Sequence, residues 1–151
     1  GNPMTCLRFF TVYGPRQRPE MAIHKFARAI TDGTSIPFFG DGNSRRDYTY
    51  VDDLVAGIRA AIDRDDGYQI YNLGGAATTS LTELVQHIER ALDKSAVLDR
   101  QPAQPGDVEI TYADVSLAEK ELQYRSVTPL AEGVKKFCRW YIAEKAAGRL
   151  Q

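Results

Sequence analysis

Arg45-Arg46-Asp47-Tyr48-Thr49-Tyr50-Val51-Asp52-Asp53 packs two guanidiniums, two tyrosines and three carboxylates between a glycine turn and a helix. Alternation along an extended chain places the side chains of Arg46, Tyr48 and Tyr50 on one face of a strand. Such a face offers a planar cation that can fork onto two phosphate oxygens, with aromatic walls for a base or sugar. The same residues also fit a charged edge strand whose arginines pair with neighbouring aspartates. Taken alone, the stretch leaves both readings open.

The flanking sequence predicts an alternating α/β pattern. Residues 4–12 are mostly apolar and rich in β-formers, and read as one buried strand ended by Tyr13-Gly14-Pro15. Pro19 closes a basic loop carrying Arg16 and Arg18. Ile23, Phe26, Ala27 and Ile30 then recur at helical spacing, with Gly33 placed to terminate that helix. Residues 35–39 read as a strand, Gly40-Asp41-Gly42-Asn43 as a hairpin-like turn, and residues 46–51 as the next strand. Asp52 or Asp53 is placed to cap a helix whose buried stripe is Leu54, Ile58, Ala61 and Ile62.

Further on, residues 68–73 read as a strand closed by Gly74-Gly75. Ser80 with Glu83 has the spacing of a capping box, ahead of the apolar face Leu81, Leu84, Val85, Ile88 and Leu92. Residues 95–112 read as irregular, residues 116–122 as a short helix, and Thr128-Pro129 as the opening of a last helix. That helix turns Leu130, Val134, Phe137, Cys138 and Tyr141 inward. The pattern looks incomplete, because the first strand arrives with no partner strand encoded before it.

Bulk properties narrow the function classes. The 151 residues, 43% of them hydrophobic, suffice for one domain with a real core. A net charge of −1 gives no reason to expect nucleic acid or an anionic membrane surface. No apolar run is long enough to span a bilayer, and Gly1-Asn2-Pro3-Met4 lacks the cationic and apolar regions of a signal peptide. Cys6 and Cys138 lie far apart in apolar settings and suit a reducing compartment, so the expected location is cytoplasmic. His24 and His87 have no clustered ligands around them, so no metal site is expected.

No Gly-x-Gly-x-x-Gly occurs between a strand and a helix, so the chain encodes no phosphate-cradling dinucleotide loop of its own. Tyr141 and Lys145 have the Tyr-x-x-x-Lys spacing of an acid/base pair. Tyr141 belongs to the apolar stripe of the last helix, however, and reads as a core residue beside a solvated lysine.

Three groups of residues, in order along the chain, carry a resemblance. The first is Leu7-Arg8-Phe9-Phe10-Thr11-Val12-Tyr13-Gly14-Pro15 with Arg18-Pro19-Glu20-Met21-Ala22. The second is Phe39-Gly40-Asp41-Gly42 leading into residues 46–53. The third is Tyr71-Asn72-Leu73-Gly74, then Gln104-Pro105-Gly106-Asp107-Val108 and Tyr112-Ala113-Asp114. Together they resemble the C-terminal part of an extended short-chain dehydrogenase/reductase, specifically an NAD-dependent nucleotide-sugar epimerase.

The resemblance implies an α/β, Rossmann-type fold with mixed short strands and about five helices, and with the cofactor half missing. Residues 1–151 would form a single substrate-binding portion, with 4–15 the last strand region of the NAD-binding domain. In this family the glycine-rich NAD loop and the catalytic Ser/Thr and Tyr-Lys residues lie in the N-terminal half. No catalytic residue is therefore assigned here, and the isolated chain is expected to be inactive. The parent enzyme would use NAD, act on a UDP-sugar and form a homodimer.

Carried over position by position, Phe9 and Phe10 match sites beside the nicotinamide, and Thr11 matches one that reaches the sugar. Ile36, Pro37, Phe38 and Phe39 match the segment that holds uracil, largely through backbone groups. Arg46 matches the diphosphate arginine, with Tyr48 beside it as a shield, and Asp107 matches a ribose-binding acid. Plain core packing for the phenylalanines and an ordinary turn for Asp107 are the structural alternatives.

UDP-galactose 4-epimerases carry a second diphosphate arginine where this chain has Gln104. Glutamine there, with Thr11 and Arg18, resembles UDP-glucuronate 4-epimerases, in which the matching Thr and Arg meet the sugar carboxylate. Arg16-Gln17 resembles other UDP-sugar epimerases instead. A UDP-glucose epimerase, dehydratase or decarboxylase, or a non-catalytic nucleotide-sugar module, are the alternatives.

Overall fold

Helix boundaries follow local chemistry closely in this chain, whose computed structural model describes residues 4–64 and 67–150. The strands β1 (Met4–Phe9) and β2 (Thr11–Tyr13) come first, followed by α1 (Ala22–Asp32). Helix α1 stops at Gly33, whose φ of 70° is the left-handed cap that glycine adopts without strain. Next are β3 (Ser35–Phe39), β4 (Arg45–Tyr50) and α2 (Val51–Ile62), then β5 (Tyr68–Leu73), β6 (Thr78–Ser80) and α3 (Leu81–Leu92). The capping box at α3 forms as expected: the Glu83 N–H donates to Ser80 Oγ at 3.1 Å, and the Ser80 N–H to Glu83 Oε2 at 2.8 Å. β7 (Val97–Gln101), α4 (Ser116–Leu122) and α5 (Leu130–Ala146) complete the order, with Pro129 at the N-cap of α5.

Three small sheets result. β1 pairs with β5 in parallel, β4 is central between parallel β2 and antiparallel β6, and β3 pairs with β7 in parallel. Four expectations are corrected here. The opening run is two strands, and β1 is not buried: Met4 and Phe9 are about half exposed, because only β5 pairs with β1 and helices cover only one side. The turn at residues 40–43 is no hairpin, since β3 and β4 enter different sheets. β4 is no edge strand, although both its arginines form ion pairs, Arg45 with Glu83 and Arg46 with Asp107. Residues 95–112 contain β7, whose exposed, charged sequence carries no alternation and is held by pairing with β3.

Two apolar clusters form the core. The larger joins Tyr13 and Tyr50 to α1, β3, α3 and α5; the smaller joins α2, β5 and α4 with Tyr124. Within α2, the expected stripe shifts. Gly57 is buried against the Tyr124 ring, and Ile62 is exposed at the helix end. Asp52 and Asp53 do not cap α2. Asp53 instead turns inward and accepts from the Thr128 N–H at 2.9 Å and the Thr128 hydroxyl at 3.1 Å, tying α2 to the entry of α5.

Tyr141 is buried, stacked on Phe137 at 6.3 Å between centroids, and burial pushes its hydroxyl pKa up. Lys145 pairs with Asp32 across to α1. Tyr141 is a core residue, as its place on the apolar stripe predicts, while Lys145 is ion-paired.

α5 approaches Tyr13 so closely that a Cβ at Gly133 would lie 2.7 Å from the ring carbon bearing the hydroxyl. Gly133→Ala is expected to destabilise the fold by about 1–3 kcal/mol through overpacking, read as a lower urea midpoint. Cys138 is fully buried and its thiol is pushed up to about 12, whereas Cys6 is half-buried. A thiol reagent at mildly alkaline pH is expected to label one cysteine in the native chain and two in urea.

Candidate functional site

β4 presents alternate residues to two environments. Arg46 and Tyr48 face a hollow, whereas Asp47 and Thr49 on the opposite side are fully buried. The hollow has a volume of about 260 Å³ and is lined by Pro37 and Phe39 from β3, Arg46 and Tyr48 from β4, and Asp107. Lys25 and Phe26 of α1, Glu20 and Leu81 close its other walls. A second hollow of about 390 Å³ adjoins it through Phe39, Ser44 and Asp107, and is lined also by Gln104. Six of the residues singled out from sequence therefore share one continuous groove.

Arg46 is the charged centre of that groove. Its Nη2 donates to Asp107 Oδ1 at 2.6 Å and its Nη1 to the Arg45 carbonyl at 2.8 Å. With the arginine side chain only 20% exposed, the pair is partly shielded from water. Tyr48 packs edge-on to Tyr13 at 6.2 Å, and burial pushes its hydroxyl up to about 12, so it stays a neutral donor at any physiological pH. Arg45 is structural: its Nε donates to Thr78 Oγ1 at 2.8 Å, and its Nη2 lies 3.2 Å from Glu83.

The other expected residues fall outside the groove lining. Phe38 faces the opposite way from Pro37 and Phe39, 3% exposed in the core, with the Arg100 guanidinium 5.1 Å from its ring centre. Strand alternation gives its side chain to the core and leaves its backbone to the segment that the resemblance matches to uracil. Thr11 lies beside Tyr48 in the register of β2 and β4. Arg18 is exposed and pairs with Glu20 at 3.3 Å, at the rim. Phe9 is half exposed on β1, and Phe10 packs against the smaller apolar cluster.

Lys25, Ser44 and Leu81 escaped the sequence reading because they reach the groove from three different elements. Asp47 escaped it too, although a carboxylate on the inward side of an alternating strand was a legible signal. It accepts from the Gly75 N–H at 2.6 Å and the Ala113 N–H at 3.0 Å, while its own N–H donates to Thr111 Oγ1 at 3.1 Å. Together with the bonds between Arg45 and residues 109 and 111, this straps the segment carrying Asp107 along β4. Among the described residues, no group of three His, Cys, Asp or Glu is placed to hold a metal ion. No described helix is long and apolar enough to cross a membrane.

Residues 1–74 match the model of the NAD dependent epimerase/dehydratase family. UDP-glucuronate 4-epimerase 4 of Arabidopsis thaliana is 40% identical over 172 residues, covering 99% of this chain and 39% of its own length. Among solved structures, UDP-glucuronic acid 4-epimerase of Bacillus cereus, in complex with UDP-glucuronic acid and NAD, superposes with a TM-score of 0.87 at 34% identity. It is matched over 93% of this chain and 46% of that one.

The chain belongs to the NAD-dependent epimerase/dehydratase family. UDP-glucose 4-epimerase of Thermotoga maritima, solved with UDP-glucose, matches with a TM-score of 0.86 at 28% identity, again over 93% and 46%. The chain thus spans less than half the length of these relatives, and its architecture corresponds to the C-terminal half of such Rossmann-type epimerases.

Asp47→Ala strands two buried N–H donors and is expected to cost roughly 3 kcal/mol, measured by urea unfolding. Desolvation raises the Asp47 pKa above 3.8, outweighing the hydrogen bonds that pull it down. The native state therefore holds that proton more tightly than the unfolded chain. Its contribution to stability falls as pH rises from 3.8 through the native value. Relative to Asp47→Asn, the unsubstituted chain is expected to lose thermal stability as pH rises across that acidic interval, and melts of the two compared at each pH check it.

Proposed function

We propose that this chain is the UDP-sugar-holding portion of an NAD-dependent nucleotide-sugar 4-epimerase of the UDP-glucuronate type. The observation that carries the reading is the convergence of Pro37, Phe39, Arg46, Tyr48, Gln104 and Asp107 on one groove. Phe39 and the backbone of β3 offer a wall for uracil. The Arg46 fork meets the diphosphate, with the neutral Tyr48 ring beside it. Asp107 turns to a ribose hydroxyl when phosphate takes its place on Arg46. The B. cereus relative, solved with UDP-glucuronic acid and NAD, supports the ligand class.

The residues present do not form a dinucleotide site by themselves. Among the described residues, no glycine-rich turn links a strand to a helix, and Phe9 and Phe10 alone would offer only a wall. NAD supplies hydride transfer at the sugar, and residues 4–15 form the strand region nearest to it in this reading. The chain's own task is positioning: it fixes the nucleotide and leaves the sugar free to present either face.

Arg18 is the specificity residue of the reading, able to exchange Glu20 for a C6 carboxylate. The Arg18–Glu20 pair also favours a second reading, in which the sugar is neutral, as in UDP-glucose. Affinities for UDP-glucuronate and UDP-glucose, compared before and after Arg18→Ala, separate the two.

Arg46→Ala is expected to weaken UDP binding by about 1.5–3 kcal/mol, the effect of losing a charged hydrogen-bond partner. An unchanged calorimetric affinity would remove the phosphate assignment. The isolated chain is expected to show no epimerisation of UDP-glucuronate with NAD present; turnover above background would overturn its role as a holding portion.

A further inference from the structure

Four charged residues line the smaller hollow: Glu20, Lys25, Arg46 and Asp107. Three of them are already committed. Arg18 holds Glu20 at 3.3 Å, and Asp107 holds Arg46 at 2.6 Å. Among the described residues, Lys25 has no ion pair and no side-chain hydrogen bond. It is the uncommitted cation of a hollow otherwise walled by Pro37, Phe39, Tyr48 and Leu81.

Lys25 is the fourth residue of α1, and its N–H closes the first turn onto the Met21 carbonyl at 2.9 Å. A cation there sits near the positive end of the helix, a cost that a bound anion removes. The opposite wall shows the complementary shortage. Gln104, in the position preceding Pro105-Gly106-Asp107, is neutral, so Arg46 alone faces the groove from that side. A diphosphate carries more negative charge than one guanidinium neutralises, particularly one that already shares Asp107.

We propose that Lys25 supplies the second cation of the diphosphate subsite, approaching from α1 while Arg46 approaches from β4. The inference rests on the UDP-sugar reading above and deepens it. An ammonium on a flexible stem acts as a point charge that can follow phosphate oxygens as they shift, where the arginine fork fixes one orientation. The two cations would clamp the diphosphate from facing walls, a geometry that a second arginine beside Asp107 would not reproduce.

Calorimetric titrations of the 151-residue chain and of Lys25→Ala, Lys25→Arg and Arg46→Ala, each with UDP, uridine, UDP-glucose and UDP-glucuronate, test the proposal. Lys25→Ala is expected to lose about three- to tenfold in UDP affinity with uridine unchanged, Lys25→Arg to recover most of it, and the salt dependence to flatten. Circular dichroism checks that the exposed substitution leaves the fold intact. If Arg46→Ala weakens UDP and Lys25→Ala does not, the Lys25 proposal fails while the UDP-sugar reading stands. If Lys25→Ala weakens UDP-glucuronate alone, Lys25 reads the sugar carboxylate and the diphosphate assignment fails. No UDP binding by the unsubstituted chain overturns the UDP-sugar reading and this inference with it, and none lost in Arg46→Ala removes the diphosphate assignment on which this inference rests.

Discussion

Asp47 buries a carboxylate at the point where three pieces of chain meet. One oxygen accepts from the Gly75 N–H, the other from the Ala113 N–H, and the residue's own N–H is held by Thr111. Without these donors, a carboxylate removed from water would cost several kcal/mol; with them, it becomes a joint. β4 is thereby pinned to the turn after β5 and to the segment that returns past residue 107. Both walls of the groove depend on that joint, because Arg46 and Tyr48 project from one side of β4 and Asp107 rides on the strapped segment.

The groove that follows is small, and most of the charges in its smaller hollow are paired. Arg46 and Asp107 satisfy each other, as do Arg18 and Glu20, which leaves Lys25 as the one charge of the smaller hollow without a partner among the described residues. Binding an anion then means exchanging partners. Exchange keeps the cost of opening the site low while retaining a charged acceptor for a hydroxyl-bearing ligand. Two aromatic contacts, Tyr13 with Tyr48 and Tyr13 with Tyr50, connect the floor of the groove to the larger core, at 6.2 and 5.6 Å between ring centres. The groove is therefore backed by packed side chains.

Local signals were read accurately wherever a few neighbouring residues decide the structure. Gly33 ends α1, Ser80 and Glu83 cap α3, and Ser116–Leu122 forms a helix, because each depends on bonds within one or two turns. Misreadings occurred where partners are distant. Asp53 looked like a cap, yet bonds to residue 128 across the fold. β7 shows no alternation, since its exposed residues owe their extended form to β3.

The sequence by itself determined most of the element types, the family resemblance and six of the residues that line the groove, because periodicity, caps and ordered motifs are written in short stretches of chain. Tertiary structure alone decided that β4 is central rather than an edge, that Asp47 is the joint behind Arg46, and that Lys25 faces the same hollow from α1. Those facts depend on which strand pairs with which, and on what burial leaves for a polar group to bond. Pairing and burial are properties of elements brought together from far apart, so no local stretch encodes them.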